Sequence, residues 1–536
     1  MSRLSGAPEA APSPFSFPLF RALWIANLVG NFGYLIQSVG AAWLMTQLAG
    51  TPRMVALVQA SVTLPVMLLA LVAGAIADSF DRRRVLLAAQ VFMFVVSLLL
   101  AVLAATGLVT PVSLLLFTFL IGCGMAVNGP AWQASVGELV PRPALSSAVA
   151  YNSVSFNLAR TAGPAIGGAI VATVGAAGAF LANSVSYIGL IVVLRRWRPE
   201  HQGETLPPER IGSAVASGLR YVAMTPAMLR VMARAVMFGS FASATSALMP
   251  VIARDLMHGG AIVYGLLLCA FGLGSVAGAL LGGRLRGRAS AQAIVSLAAS
   301  AVAAGAAIVA VSHTLFVTLP ALVLAGAGFI LTMTTLNVTM QLSAPRWVVA
   351  RAIALYQTSA FAGLSLGAAA FGAVASAYGI RNALLTAAGL QMVAVLIGQV
   401  VRLPEVDGLN LDPLRRWREP TTEVPVQPRS GPVTITIGYR IEPEDAADFL
   451  RAMTHRRRIR RRDGARRWSL ARDLANPRRW VETYQVPSWL EYVRHNQRRT
   501  HADAAHEDRI RALHRGAWPP EIGWALEVDP ASSAPS

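Results

Sequence analysis

Four sets of residues in this chain have types and spacings that could do chemistry, and that chemistry is binding and latching rather than bond-making. The stretch GAIADSFDRRR, Gly74 to Arg84, sets two aspartates and three arginines between long apolar runs. Asp78 stands four residues before Arg82, with Arg83 next to it, so a carboxylate and guanidiniums share one short loop. A carboxylate near a helix N-terminus is stabilised by the helix dipole, typically by roughly 0.3–1 kcal/mol and more when partly buried. Arg160 lies in the middle of a run that is otherwise uncharged. A charge at such a depth costs at least roughly 2.5–3.5 kcal/mol on insertion scales, so it is expected to face a water-filled cavity and to have a partner. Arg234 lies near the end of its run, where snorkelling to the interface is an equal alternative. In ARTAGPAIGGAI, Ala159 to Ile170, small residues permit close helix approach, and Pro164 removes a backbone donor and bends the helix. Asn31, Tyr34, Gln37, Asn128, Gln133, Asn152 and Asn157, with Gln341 and Gln357 later in the chain, are polar side chains within apolar runs. Singly, each is a helix–helix hydrogen bond. Together with Arg160 they predict a moderately polar, cationic cavity suited to an anionic or polar aromatic molecule.

Other chemistries find little support. His455, His495, His501 and His506, with Trp468 and Asn476, lie near the C-terminal end, but no pair has metal-ligand spacing; His501 and His506 are five apart, off one helical face. No catalytic residues, metal or cofactor are expected, and the chain is not read as an enzyme. Cys123 and Cys269 fall inside apolar runs and read as packing residues. A nucleotide-binding Gly-x-x-x-x-Gly-Lys loop needs lysine, and the sequence has none, so the chain is not its own ATPase.

These side chains need elements to position them, and composition says which. The 536 residues are 54% hydrophobic and 14% charged, where soluble domains carry about 25% charge. Apolar runs long enough to cross a bilayer, about 20 residues each, recur from Phe20 to Arg402 and then stop. Twelve spans are predicted, near 20–48, 54–77, 85–106, 111–136, 146–172, 175–194, 228–253, 261–283, 290–312, 315–340, 350–377 and 380–401. The formal net charge is +19. Its arginines cluster after alternate spans: Arg82, Arg83 and Arg84; Arg142; Arg195, Arg196 and Arg198; Arg284, Arg286 and Arg288; Arg346 and Arg351. The other loops carry only Arg53, Arg254 and Arg381. Basic short loops stay in the cytoplasm, which predicts cytoplasmic termini and removes any need for a nucleic-acid partner.

The chain also repeats itself. A shift of 204 residues, without gaps, lays Gly74 on Gly278, Arg82 on Arg286, Gly122 on Gly326, Pro141 on Pro345, and Gly163, Gly168 and Gly175 on Gly367, Gly372 and Gly379. Two six-span copies follow, which is how one class of secondary transporter is built, with the substrate path between the halves near the midplane. The expected domains are a tail 1–19, bundles 20–194 and 228–402, linkers 195–227 and 403–430, a soluble domain 431–528 and an end segment 529–536. After Gly431, VTITIGYRI reads as a strand, PEDAADFLRAM as a helix start, WSLARDL and RWVETYQV as a hairpin, SWLEYVRHNQ as the start of a long helix and IGWALEV as a strand. That βαββαβ order is ferredoxin-like. The run RRRIRRRDGARR, Arg456 to Arg467, reads as a solvated basic face.

With these residues in view, a resemblance can be stated. Gly74, Asp78, Arg82 and Arg83 match the loop motif between helices 2 and 3 of the major facilitator superfamily, with Asp81 where that family has Gly. Gly163, Pro164, Gly167 and Gly168 match its exporter motif, with Ala159 in place of the first Gly. The stretch VPRPAL…NSVSFNLARTAGPAIGG and the C-terminal domain resemble the transmembrane secretion effector subgroup, which includes the enterobactin exporter; the C-terminal domain is similar to the antibiotic-biosynthesis monooxygenase-like fold. The resemblance implies an all-α membrane protein of the major facilitator fold, twelve helices in two repeats, plus a soluble α+β domain. It implies a secondary transporter in the bacterial cytoplasmic membrane that exports siderophores, drugs or other metabolites by alternating access. Asp78 is then expected to latch the halves, with Arg82 and Arg351 as partners. Protons are the coupling ion the family implies, although Asp78, Glu138 and Asp255 all sit at span ends. Dimerisation through the C-terminal domain is a further expectation. An importer on the same fold is the first alternative, and a membrane-anchored monooxygenase-like enzyme the second.

Overall fold

The computed structural model describes residues 13–141, 144–197, 211–345, 347–405, 411, 417, 419–497, 500–517 and 519–528. It divides into two compact units, one of residues 1–211, 230–339 and 353–403, the other of 212–229, 340–352 and 404–536.

The first unit is helical throughout. Its elements are α1 (Pro18–Leu48), α2 (Pro52–Ser79), α3 (Arg82–Ala105), α4 (Pro111–Leu139), α5 (Leu145–Arg196), α7 (Pro226–Val251), α8 (Ala261–Arg286), α9 (Ala291–Val311), α10 (Leu315–Leu342), α11 (Val349–Tyr378) and α12 (Ile380–Val400). Among the described residues, 11 helices are long and apolar enough to cross a membrane. Lipid offers no partner for backbone groups, so each span must satisfy its own by helical hydrogen bonds.

One of these elements is two limbs. A straight helix of 52 residues would be about 78 Å long, more than twice a bilayer core. At Gly175 φ is 81° and ψ 178°, a left-handed conformation open to glycine and costly for other residues. The neighbours along α1 show what this break does. The indole of Trp24 donates to the Tyr151 carbonyl at 3.0 Å. Gly163 then lies against Leu35 and Gly167 against Ile36, so numbers rise together on both helices. Beyond Gly175 they run oppositely, with Gly189 near Ala26, Asn183 and Ser186 at Gly33, and Ala179 at Gly40. The chain reverses at a single residue. The same reversal separates α11 from α12, where Gly379 has φ 85°, and Gly175 plus 204 is Gly379.

Asp81 settles the turn before α3. Its side chain accepts from the Arg83 N–H at 2.9 Å and the Arg84 N–H at 3.3 Å, so it is the N-cap of α3 and needs no glycine geometry. Arg83 in turn donates from Nε to the Leu194 carbonyl at 2.8 Å and from Nη2 to the Arg195 carbonyl at 2.9 Å, filling acceptors that the end of α5 leaves open.

The second unit holds α6 (Ile211–Ala223) and the C-terminal domain: β1 (Val433–Arg440), α13 (Ala446–Arg462), β2 (Arg466–Arg472), β3 (Arg479–Val486), α14 (Trp489–Gln497), α15 (His501–Leu513) and β4 (Glu521–Leu526). The strands lie in the order β2-β3-β1-β4, with every neighbour antiparallel. The long helix expected after Ser488 is two helices, α14 and α15. Inward-facing Val433, Ile435, Ile437 and Tyr439 alternate along β1 and pack on Phe449, Met453, Tyr484 and Tyr492.

The basic run is not a uniformly solvated face. Arg457, Arg458 and Arg461 are exposed, but Arg456 and Arg460, one helical turn apart on α13, are buried. Both donate to Glu482, from Nε at 2.8 Å and 3.4 Å. The Glu482 carboxylate also accepts from Tyr439 Oη at 2.9 Å and Trp468 Nε1 at 3.0 Å. Burial pushes its carboxyl up, but the two guanidiniums and these hydrogen bonds outweigh it and hold the pKa at about 2.

Candidate functional site

A cavity of about 360 Å³ opens inside the helical unit. Ligand pockets start near 300 Å³. Its walls come from both halves: Tyr34, Gln37, Gln59, Thr118 and Arg160 from α1, α2, α4 and α5, and Ser246, Tyr264 and Phe361 from α7, α8 and α11. Among the described residues, Arg160 is the one charged side chain that lines the space, and no carboxylate does.

Arg160 has a partner, and it is a hydroxyl from the other half. Nη2 donates to Ser275 Oγ on α8 at 2.7 Å. Ser275 Oγ is itself within reach of the Phe271 carbonyl at 2.9 Å and the Gly326 carbonyl at 3.2 Å. The guanidinium is thus aimed and hydrogen-bonded, and among the described residues no carboxylate of the cavity wall compensates its charge. Such a charge favours an anion over a neutral isostere.

The glycines of the exporter-like motif set the packing around it. Gly163 and Gly167 bring α5 against Leu35, Ile36 and Val39 of α1. Gly168 meets α8, where a Cβ would lie 2.7 Å from the Ala261 carbonyl. From the α8 side, a Cβ at Gly265 would lie 2.8 Å from the Pro164 carbonyl, and one at Gly272 2.9 Å from the Arg160 carbonyl. Backbone therefore touches backbone between the halves for three turns.

Among the described residues, the contacts between halves gather at the end where the connecting loops are short. Thr63 and Ser365 hydroxyls are 2.6 Å apart. The Arg53 N–H donates to Ser376 Oγ at 2.9 Å, and Arg254 Nη1 to the Thr46 carbonyl at 2.8 Å. One hydrophobic cluster spans both halves there, joining Met45, Val55 and Val171 to Met249, Ile252 and Ala375. At the arginine-rich end, the cluster around Phe20, Leu86, Leu139 and Trp197 draws on the first half alone.

Most of the polar residues singled out in the sequence fall into three groups. Arg160, Tyr34 and Gln37 line the cavity. Gln37 also accepts from Ser97 Oγ at 2.7 Å and from Asn183 Nδ2, inside the first half. Asn31 and Asn128 serve helix–helix bonds, to Ser155 at 3.4 Å and from Gln90 at 2.9 Å. Asn157 and Gln357 are half-buried, Gln133 is exposed, and Gln341 is exposed in the other unit. Asn152 and Arg234 are the third group: the Asn152 Oδ1 and Arg234 Nη1 atoms are buried without a hydrogen-bond partner among the described residues. Arg234 packs on Gly398 and is 7% exposed, so it does not snorkel. The side chains of Gly74, Asp78, Glu138 and Arg286, with Arg142, Arg198 and Arg346, lie outside the described residues. Of the partners expected for Asp78, Arg351 donates from Nη1 to Ser217 Oγ at 3.2 Å. Gln59, Ser246, Tyr264 and Ser275 were missed by sequence reasoning. Gln59 and Tyr264 carried a signal, as an amide and an aromatic hydroxyl in apolar runs.

Comparison with known proteins bears on this geometry. The multidrug efflux pump Tap of Mycolicibacterium fortuitum is 28% identical over 408 residues, 74% of this chain and 97% of that protein. The staphyloferrin A transporter of Staphylococcus aureus is 33% identical over 196 residues, 36% of this chain and 46% of that protein, so the match spans about half its length. A bacterial homolog of the human lysosomal transporter Spinster, in an inward-facing and unoccupied conformation, superposes with a TM-score of 0.56 at 14% identity, covering 73% of this chain and 96% of that one. An auto-inhibited peptide transporter of the POT family gives 0.60 at 12%, covering 76% and 99%. At these identities the structural matches show the fold. The family model described as transmembrane secretion effector matches residues 9–531. The chain belongs to that family of major facilitator transporters: it is a multi-pass membrane transporter, with relatives that are efflux pumps and a siderophore transporter.

Proposed function

We propose that this transmembrane secretion effector exports a small anionic or polar aromatic molecule, of the siderophore, drug or metabolite class, by alternating access around the cavity at Arg160. The break at Gly175 supports counting α5 as two spans, and a chain of twelve spans would have both termini on one side. The arginine-rich loops assign that side to the cytoplasm of a bacterial cell. The state described, closed at the short-loop end, then faces the cytoplasm, as a pump must to load. The observation that carries the reading is the Arg160–Ser275 contact, which joins the halves in a cavity lined by no carboxylate. The exporter-like glycines Gly163, Gly167 and Gly168 support efflux over uptake.

Coupling to protons is part of the proposal, with Asp78 or Glu138 as the carboxylate, since the sequence has no Asp or Glu deep inside a span. Asp78 is also proposed as the latch of the Gly74–Arg83 motif. The C-terminal domain, whose strand order is that of the ferredoxin-like and monooxygenase-like folds, is assigned a regulatory or dimerising role. The test is uptake into everted membrane vesicles under an imposed proton gradient. A panel of siderophores and amphipathic anions is offered to wild type and Arg160→Ala. Gradient-dependent accumulation that Arg160→Ala abolishes supports export through this cavity. Equal accumulation in both removes Arg160 from the path. Accumulation that ignores the gradient removes antiport.

A further inference from the structure

The C-terminal domain encloses a second and larger cavity, about 870 Å³, between its sheet and its helices. Its floor is aromatic and aliphatic: Ile435, Ile437 and Tyr439 from β1 and Tyr484 from β3. Tyr492 on α14 and Trp524 on β4 close one side, tied by a hydrogen bond from Trp524 Nε1 to Tyr492 Oη at 2.7 Å. Arg456 and Arg460 reach the same space, at 9% and 5% exposure.

We propose that this cavity is a binding site for a planar aromatic carboxylate, separate from the transport cavity. Two buried guanidiniums share one carboxylate here, and Glu482 is already saturated by Tyr439 and Trp468. Burying two cations against one anion is costly, and a bound anion would offset that cost. Arg460 is further engaged, by Nη1 on His495 Nε2 at 2.7 Å and by stacking of its guanidinium 4.4 Å above the Tyr484 ring. Arg456 is held less firmly: its guanidinium lies 6.0 Å over the Tyr439 ring, and beyond its Nε bond to Glu482 its terminal amino groups have no hydrogen-bond partner among the described residues. They present the two parallel N–H groups that a carboxylate accepts. Glu507, Asp508 and Arg511 on α15 also line the cavity, and their charges must be counted. Asp508 and Arg511 are exposed, so water screens them at the mouth; the half-buried Glu507 acts on Arg456 and offsets part of its charge, while Arg460 is bound to the shared Glu482. An aromatic floor beside two guanidiniums selects a flat ring bearing an acid group over a small inorganic anion.

The site also has a route outward within its unit. Two residues beyond Arg460, the guanidinium of Arg462 stacks 4.8 Å above the Tyr221 ring of α6. Tyr221 meets Trp347 edge-on at 5.2 Å, in the segment that leads into α11. An occupant that moves α13 is therefore read by the linker and by the segment joining α10 to α11, which makes it a regulator by position.

The test is calorimetric titration of the full chain in lipid nanodiscs with salicylate and 1-naphthoate, and with salicylamide as the neutral isostere. One of the carboxylates is expected to bind with Kd below about 1 mM, at least tenfold tighter than the amide. Arg456→Gln is expected to weaken it at least tenfold. Because that change disturbs a buried ion cluster, Ala504→Trp serves as a second variant: it fills the cavity from α15 and leaves Arg456, Arg460 and Glu482 unsubstituted. It too is expected to abolish binding, while Arg160→Ala leaves it intact. The proposal is overturned if neither carboxylate binds, if salicylamide binds as well as salicylate, or if Ala504→Trp keeps wild-type affinity. It is equally overturned if Arg160→Ala removes the binding, which would place the probe in the transport cavity.

Discussion

Adding one methyl group at Gly265 should tilt the transporter toward its opposite state. The Cβ would stand 2.8 Å from the Pro164 carbonyl and 3.2 Å from Gly168 Cα, where ordinary contact begins at 3.4 Å. Both neighbours are backbone, so neither can swing aside, and α5 and α8 must part by about half an ångström. Overpacking of this kind costs about 1–3 kcal/mol. The contact lies between the halves on the closed side of the cavity, so the strain falls on this state and is relieved when that side opens. Population ratios follow as roughly 5- to 150-fold toward the opposite state. The assay is a spin-label distance between Thr51→Cys and Gly260→Cys, one in each half at the closed end. Wild type is expected to give one short distance, and Gly265→Ala a second, longer population with slower substrate loading. Gly389→Ala on α12, which has nothing within 4 Å, is the matched control. A Gly265→Ala distribution identical to wild type would refute the claim that the glycine contact belongs to one state.

Four further outcomes are expected. Ser275→Ala, which removes the partner of Arg160, should lower transport about tenfold while Ser275→Thr keeps most of it, measured as initial rates in vesicles. Gly175→Ala and Gly379→Ala should each destabilise the helical unit by about 1–2 kcal/mol, read as a lower midpoint in thermal unfolding, because φ of 81° and 85° is a left-handed conformation. Asp81→Ala should cost about 1 kcal/mol through loss of the α3 cap. Acid should loosen the C-terminal domain. The folded Glu482 pKa, about 2, lies below its ordinary value, so its stabilisation is complete above about pH 4.5 and is lost as pH falls toward 2. The depression of more than two pKa units is worth about 3 kcal/mol, and near-ultraviolet circular dichroism of Glu482→Gln should show that part of the acid transition removed.

Much of the fold could be read from residue types because lipid leaves the backbone few choices. The 204-residue offset placed Gly175 on Gly379, and those two residues are where the chain reverses. Arg160 was legible for the same reason, since a charge amid apolar residues needs a cavity. Its partner was not: Ser275 is 115 positions away in the other half, and a serine in an apolar helix has no distinguishing mark. Polar residues in a span announce a hydrogen bond but not its direction, which is why Gln37 reached the cavity and Asn128 turned to Gln90. In the C-terminal domain the arginine run concealed a period of four. Arg456 and Arg460 share a helical face only once α13 is formed, and Glu482 faces them because it alternates inward along β3. Such pairings are set by tertiary packing, which overrides the average behaviour of a charged run.

The single-residue reversals at Gly175 and Gly379 have a consequence for anything that must recognise this protein from outside the cell. The other connections at that end are 49–51, 106–110, 257–260 and 312–314, none longer than five residues. An antibody typically covers about 800 Å² on its target, far more than one such tip presents. A protease needs an extended, exposed strand, and these turns offer none of useful length. On the face we assign to the exterior, the protein is close to invisible. Under that assignment, α6 and the C-terminal domain belong to the side where the cell itself can read them.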